Sequence, residues 1–292
     1  MMKFLILSLI ISILICCKSP QQIGHNQSID TIISMNEMIE IIDTLSCDAF
    51  EGRKTGSEGI EKAAKYIENY FRKFNIRSFY SNYRDSFLIG EIQAYNIIGI
   101  IEGKNPDLIN EYILLSAHYD HIGKSFGDSD SVYNGANDNA SGVSTVLNIA
   151  RILAENPQNS RNIIIALFSG EEMGLLGSEH FARILKKNGP KLYCAVNVDM
   201  IGSQFSKDPG KVYLSGYKKS NMPEIFNRYI GSEEVVQWSK EDMYDLFSLS
   251  DNYHSFSLCF QSLLNLQQIK SCCCTAYVKP YLLAFYRRCQ TL

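Results

Sequence analysis

Three continuous apolar runs between residues 112 and 198 constrain the fold more than any other feature of the chain. The runs are Tyr112 to Ala117, Asn162 to Ser169 and Leu192 to Val198, and each has the length of a strand. Segments 141–155 and 178–187, which separate them, carry apolar residues at helical spacing. Strands that are apolar on both faces and alternate with amphipathic helices are typical of parallel sheets. We therefore predict an α/β fold with a central, mostly parallel mixed sheet and helices on both faces.

The segment before these runs adds two helices and two strands to the prediction. Apolar residues recur at helical spacing in 31–45 and 60–74, while 78–89 and 95–102 have the composition of strands. The chain has 292 residues, 46% of them apolar, which suits one large domain with a full core. The net charge of -3 and the lack of a long basic run argue against a nucleic-acid partner.

Acidic and histidine side chains follow each of the three apolar runs and open the first intervening helix. They are His118, Asp120, Asp138, Glu171, Glu172 and Asp199. Ligands bind beyond the carboxyl ends of strands in open α/β sheets, so we expect these side chains to converge on one rim. Carboxylates and imidazole are the ligands that a pair of zinc ions requires. The sequence therefore predicts a two-metal hydrolase site.

Each of these residues also has an ordinary structural alternative. Asp120 lies two positions after His118, so it can face the same side and orient the imidazole, or the two can form a simple surface pair. One of the adjacent glutamates can bind metal while the other acts as a general base, or both can be the acidic start of a helix. Asp138 can bridge two cations or cap a helix. His121 is interpreted only as a neighbour in the loop.

Five segments, taken together, resemble the two-zinc aminopeptidases of metallopeptidase family twenty-eight. They occur in the family order and read GRKTGSEG, LLSAHYDHIG, NGANDNASGVSTVL, ALFSGEEMGLLGS and VNVDMIG. The resemblance implies the fold of the zinc aminopeptidases, a peptide substrate and two zinc ions per chain. It implies that His118 and Asp199 bind one zinc, that Asp138 bridges both and that Glu172 binds the other. Glu171 is then the general base.

One further segment and one missing residue bear on this resemblance. LSDNYHSF, which contains Ser250 and Asp251, is similar to a family segment that lines the substrate pocket. Family members supply a last zinc-binding histidine some way beyond it, but no histidine follows His254 in this chain. The resemblance therefore predicts that one zinc binds weakly and that activity is low or absent.

The last stretch of the chain has an atypical composition. Residues 252–292 contain no Asp, Glu or Gly, and Cys272, Cys273 and Cys274 lack the spacing of a zinc ribbon. We therefore expect a zinc peptidase domain over 31–257 and an atypical tail over 258–292. The hypothesis is that the reading frame changes just after Phe256 or Ser257.

The N-terminus reads as an export signal. A positive start is followed by the apolar run Phe4 to Ile15, which is too short to span a bilayer. Leu14 to Cys17 resembles a bacterial lipoprotein cleavage box in which Cys17 is lipidated; the alternative is an ordinary signal peptide. We predict a signal segment over 1–17, a linker over 18–30, and export to the bacterial cell envelope with membrane contact only through a lipid anchor.

Two rival functions remain open. A glutaminyl-cyclase-like enzyme would use the same fold with one zinc and make pyroglutamate from N-terminal glutamine. A non-catalytic binding protein would keep the fold without the reaction, which the missing ligand favours and the otherwise complete ligand set opposes.

Overall fold

A computed structural model of the chain describes residues 34–125, 131–188, 190–203, 211–237, 246–255 and, for the backbone alone, 272–277. The predicted signal segment and linker lie outside these residues, as does most of the predicted tail. Among the described residues, none of the helices has both the length and the apolar character needed to cross a membrane.

Five α-helices are present in this part of the chain. They are α1 (Met35–Leu45), α2 (Glu58–Lys73), α3 (Ser141–Glu155), α4 (Leu176–Asn188) and α5 (Met222–Ile230). The first two begin at serine caps: the Ser34 hydroxyl accepts a hydrogen bond from the backbone N–H of Glu37, and the Ser57 hydroxyl from that of Ile60. Short 3₁₀ helices cover Pro106–Leu108 and Tyr217–Lys219. Segment Asp48–Arg53 is a 3₁₀ turn that Glu51 and Gly52 interrupt in left-handed conformations, and segment Ala136–Ala140, non-helical at Asp138 and Asn139, leads into α3.

The strands form one mixed sheet. They are β1 (Arg77–Ser78), β2 (Arg84–Ile89), β3 (Ile92–Ile101), β4 (Glu111–His118), β5 (Asn162–Phe168), β6 (Lys191–Val198), β7 (Val212–Ser215), β8 (Val235–Val236) and β9 (Cys272–Tyr277). Their order is β1-β3-β5-β4-β6-β9-β7-β8, and β2 also pairs with β3. Pairing is parallel from β5 through β4 and β6 to β9, and β3 joins β5 antiparallel. The predicted α/β fold with a mixed sheet is confirmed, with parallel pairing at its centre.

Helices cover both faces of the central strands. Phe181 and Leu185 of α4 pack on one face, against a cluster that includes Leu114, Ile164 and Ala195. The alternate side chains of the same strands, such as Ile113 and Ile163, are also buried and point to the opposite face. Helix α3 contacts β3, β4, β5 and β6, and it supplies that second cover. Each fully buried aliphatic or aromatic side chain contributes about 1.5–3 kcal/mol, so the central strands are the most stable part of the sheet.

Several sequence predictions need correction. The strand predicted over 78–89 is two strands, β1 and β2, separated by residues 79–83. The strand predicted over 95–102 begins earlier, at Ile92, and ends at Ile101. The tail contains β9, whose backbone pairs with β6 and β7. The predicted boundary at residue 257 would thus separate β9 from the sheet that it joins; that boundary stays a prediction.

Candidate metal centre

The register of the three central strands brings the predicted ligands to one edge of the sheet. His118 at the end of β4 pairs with Phe168 of β5, directly before the turn that carries Glu171 and Glu172. On the other side, Ser116 pairs with Asn197 of β6, so two residues further along the parallel strands His118 is level with Asp199. Neighbouring strands lie about 4.8 Å apart, which places these side chains within reach of a shared ion.

One cluster consists of His118, Glu171 and Asp199, each of which offers a ligand atom within 4.8 Å of the others. The Nε2 atom of His118 lies 3.4 Å from Oδ1 of Asp199 and 3.3 Å from Oδ1 of Asp138. Ligand atoms on a tetrahedral zinc ion, each about 2.1 Å from the metal, are about 3.4 Å apart. The Nε2 atom of His118 therefore already lies at the spacing of a zinc ligand from one oxygen of Asp138 and one oxygen of Asp199.

A second cluster consists of His121, Asp138 and Glu172. The Nδ1 atom of His121 lies 2.7 Å from Oε1 of Glu172 and 3.9 Å from Oδ2 of Asp138. Asp138 thus turns Oδ1 toward His118 and Oδ2 toward His121. A carboxylate that directs one oxygen at each cluster has the arrangement of a ligand that could bridge two metal ions.

Asp120 connects the two glutamates to the histidine. It is fully buried, and its Oδ1 lies 3.7 Å from Nδ1 of His118, the ring nitrogen that faces away from Asp199. Its carboxylate also accepts hydrogen bonds from the backbone N–H groups of Glu171 and Glu172, at 3.3 and 3.4 Å, and from the hydroxyl of Thr55 at 3.0 Å. The backbone carbonyl of Asp120 is closer still, 3.3 Å from Nδ1, and a hydrogen bond there leaves Nε2 available as a metal ligand.

Asn139 joins the loop of Asp138 to the loop of Asp199. Its side chain is buried; Oδ1 accepts hydrogen bonds from the backbone N–H groups of Gly142 and Met200, and Nδ2 donates to the carbonyl of Val198. The three distances are 3.0, 3.1 and 3.0 Å, respectively. A single side chain therefore fixes the distance between two predicted metal ligands.

Arg53 lies beneath the site and holds three loops together. The side chain is buried, and its guanidinium donates hydrogen bonds to the carbonyls of Leu45, Tyr119, Asn134 and Gly135. Burial lowers the pKa of Arg53 to about 10, although the charges of Asp120, Asp138 and Glu172 oppose that shift. Arg53 therefore remains charged at neutral pH, and this buried cation interacts electrostatically with the three carboxylates.

Electrostatics within the site reflect crowded carboxyl groups. Burial raises the pKa of Glu171 well above its usual range; His118 opposes this, and the charges of Asp251 and Asp199 add to it. Burial would also raise the pKa of Asp138, but the hydrogen bond and charge of His118 outweigh it and leave that pKa lowered. Several carboxylates around two imidazoles and one guanidinium form a net negative site, which is a suitable environment for divalent cations.

The predicted pocket residues Ser250 and Asp251 are both buried, at 0% and 1% exposure. The Ser250 hydroxyl donates to Oδ1 of Asn252. Burial raises the pKa of Asp251 to about 7, against the charge of His118. Neither Asp251 oxygen has a hydrogen-bond partner among the described residues.

The structure thus brings together all six residues predicted at the strand ends. It also adds His121, which sequence reasoning left as a neighbour in the loop although it lies three positions after His118. Arg53, Thr55 and Asn139 were not predicted either, because a side chain that binds backbone groups leaves no periodic signal in the sequence. Cys17, the predicted lipidation site, lies outside the described residues.

Comparison with known proteins identifies the family. Residues 96–254, more than half of the chain and a range that contains both clusters, match Peptidase family M28. Aminopeptidase YwaD of Bacillus subtilis is 38% identical over 118 residues, which is 39% of this chain and 23% of that protein. The chain spans about a quarter of the length of the curated relatives that it matches.

Solved structures share the fold. BSAP, a zinc aminopeptidase from Bacillus subtilis, matches 88% of this chain and 91% of its own chain with a TM-score of 0.59 and 17% identity. Glutaminyl cyclase from Porphyromonas gingivalis matches 85% of this chain and 86% of its own with a TM-score of 0.59 and 18% identity. The matched range, the fold and the convergent ligand set agree, and the chain belongs to Peptidase family M28.

Proposed function

We propose that this protein is a zinc-dependent aminopeptidase, which removes N-terminal residues from peptides. The observation that carries the proposal is the orientation of Asp138, with one carboxylate oxygen toward His118 and the other toward His121. A carboxylate directed at two imidazole-containing clusters suits a pair of zinc ions: His118, Asp138 and Asp199 would hold one, and Asp138 and Glu172 would hold the other. When bound, such a pair supplies Lewis acidity that polarises a peptide carbonyl and acidifies water.

Glu171 is proposed as the general base. It follows the turn at Gly170, whose φ of 73° is a left-handed conformation that glycine adopts without strain. The backbone N–H of Gly170 donates to the hydroxyl of Thr55, and that of Glu171 donates to Asp120, so the turn is fixed at both points. Its side chain is 15% exposed, and the positive charge of bound zinc would lower its raised pKa, so that it could accept a proton from water and return it to the leaving amine.

Asp120 and Asp251 are proposed as supporting carboxylates. The Asp120 carboxylate binds the backbone N–H groups of both glutamates, and its backbone carbonyl, 3.3 Å from Nδ1, orients the ring of His118. Asp251 is buried and interacts electrostatically with His118, Glu171 and Asp199. Asp251 would therefore add negative charge to the site, and the role of Ser250 and Asp251 in lining the substrate pocket stays a prediction.

The assay is hydrolysis of an aminoacyl-4-nitroanilide by the purified chain, with its N-acetylated counterpart as a matched control. We expect cleavage of the free amine only, loss of activity after chelation and recovery with zinc. Glu171→Gln should retain zinc and lose about 10²–10⁴-fold in kcat, which is the usual contribution of a general base. Equal cleavage of the acetylated substrate, or full activity of the chelated protein, would contradict the proposal.

The two rival functions give different results in the same samples. Release of ammonia from a peptide with N-terminal glutamine, without hydrolysis of the nitroanilide, would identify a cyclase. Absence of bound zinc at saturating concentration would support a non-catalytic binding protein.

We further propose that the protein is exported and held at the bacterial cell envelope through a lipid on Cys17. The support is the sequence of the first 17 residues, namely a positive start, an apolar run and a cysteine before a polar segment. A single lipid chain gives weak membrane binding, and stable attachment requires more than one. The multiply acylated cysteine of a bacterial lipoprotein would meet that requirement.

A further inference from the structure

The second candidate centre is the cluster of His121, Asp138 and Glu172. The family resemblance places its last ligand, a histidine, beyond the segment LSDNYHSF, where this sequence has none. The chain contains five histidines, and none follows His254. His180 is committed elsewhere: its Nε2 lies 3.2 Å from Asp85, and its ring stacks on Phe87 at 4.9 Å. His254 lies near Tyr253, with 5.4 Å between the ring centroids, and is a member of neither cluster among the described residues.

His121 occupies the position that an imidazole ligand would need. Its Nδ1 faces both Glu172 and Asp138, at 2.7 and 3.9 Å, and its side chain is 11% exposed. The contact of 2.7 Å is shorter than the spacing of about 3.4 Å between ligands of one tetrahedral zinc ion, and the distance of 3.9 Å is longer. A small separation of His121 from Glu172 would therefore be enough to admit the metal.

The backbone around His121 holds the ring against the site. The N–H of His121 donates to the carbonyl of Arg53 at 3.2 Å. Opposite the ring lies Gly135, where a Cβ atom would meet Cδ2 of His121 at 2.6 Å. Only a glycine at position 135 leaves room for the imidazole. Arg53 donates a hydrogen bond to the carbonyl of Gly135 and so fixes the position of this glycine. The ring is thus placed by packing as well as by its contact with Glu172.

We infer that His121 is an imidazole ligand of the second zinc ion. The inference rests on the proposed zinc-dependent function. A simple ion pair between His121 and Glu172 would explain the 2.7 Å contact, but not why the same nitrogen also faces the second oxygen of Asp138. With His121 as a ligand, the second centre has one imidazole and two carboxylates, Asp138 and Glu172. The weak second zinc expected from the sequence would then bind firmly.

Zinc binding to the full chain tests this inference independently of activity. The zinc content after dialysis and the affinity in competition with a chromophoric chelator would be measured for the wild type, for His121→Gln and for His254→Gln. We expect two zinc ions for the wild type and for His254→Gln. For His121→Gln we expect one ion at unchanged affinity and a second weakened at least about tenfold. Melting of the zinc-free proteins checks that each variant folds.

A second measurement needs no variant. Modification of histidines by diethylpyrocarbonate, followed by peptide mass spectrometry, should show that zinc protects His121 in the wild type while His254 reacts equally with and without zinc. Two firmly bound ions in His121→Gln, loss of one ion in His254→Gln alone, or no protection of His121 would overturn the inference. A wild type that binds a single zinc ion would also overturn it, and a wild type that binds none would overturn the proposed function as well.

Discussion

Replacing Arg53 by methionine should destabilise the fold and loosen the candidate metal centre together. Methionine has a similar length and no hydrogen-bond donors, so the carbonyls of Leu45, Tyr119, Asn134 and Gly135 would lose their partner. Leu45 and Tyr119 are fully buried, while Asn134 and Gly135 are partly exposed and can be rehydrated. A buried carbonyl without a hydrogen-bond partner costs about 1–3 kcal/mol, and two are left here. Removal of the buried charge offsets part of this cost, so the free energy of unfolding should fall by about 3 kcal/mol.

The assay is urea unfolding of the zinc-free protein, because metal binding would otherwise add its own contribution to stability. Arg53→Lys is the matched control, because lysine keeps the charge but cannot donate hydrogen bonds to all four carbonyls. Its free energy of unfolding should fall by about 2 kcal/mol. Arg53→Met should also bind zinc more weakly than Arg53→Lys, since Asp138 and His121 lie on the loops that Arg53 connects. A fall of less than about 1 kcal/mol in Arg53→Met would refute the reasoning.

Three further predictions concern other parts of the chain. Asn139→Ala should lower the unfolding free energy by about 2–4 kcal/mol in denaturant titration and weaken zinc binding, because three buried backbone groups lose their partner; an unchanged midpoint would contradict this. Hydrogen bonds from Arg84 lower the pKa of Glu61 to about 2, so the stabilisation is complete above the unfolded pKa near 4.5 and is lost as the pH falls toward 2. Glu61→Gln should therefore cost about 1 kcal/mol at pH 7, discounted for the partial exposure of this pair, and nothing near pH 2; a difference that persists in acid would exclude the mechanism. Cys17→Ser should move the protein from the detergent phase to the aqueous phase in phase-partition experiments on bacteria that express the full chain, whereas equal partition would indicate an ordinary signal peptide.

The composition of the tail leads to a separate prediction. Resequencing the coding DNA around codons 255–261 should show an inserted or deleted nucleotide if the tail over 258–292 is not native. Restoring the frame should then reveal a histidine codon downstream. An intact frame with similar tails in related genomes would contradict the hypothesis, and β9 would then be a native strand of the sheet.

The sequence predicts the part of the fold whose signals are long and regular. Segment 141–155 was predicted as a helix with the same bounds as α3, and β4, β5 and β6 were predicted within about two residues of their ends, a normal error for such boundaries. These strands are buried on both faces, so their apolar runs are unbroken. By contrast, β7 and β8 have four and two residues, too few to distinguish a strand from a loop, and they were not predicted.

The candidate site also has a part that the sequence predicts and a part that it does not. The convergence of His118, Glu171 and Asp199 followed from a general property of parallel strands, whose carboxyl ends meet at one edge. The position of His121 depends on the loop after β4, on the room left by Gly135 and on the guanidinium of Arg53. Contacts between loops far apart in sequence have no periodicity, so no pattern in the sequence could distinguish a ligand at position 121 from a surface histidine.

Anomalous diffraction at the zinc edge from crystals of the zinc-loaded protein is the most direct test of two metal ions bridged by Asp138. The account predicts two peaks, one beside each oxygen of the Asp138 carboxylate, with His118 and Asp199 at the first and His121 and Glu172 at the second. A single peak, or two peaks that do not share Asp138, would contradict it.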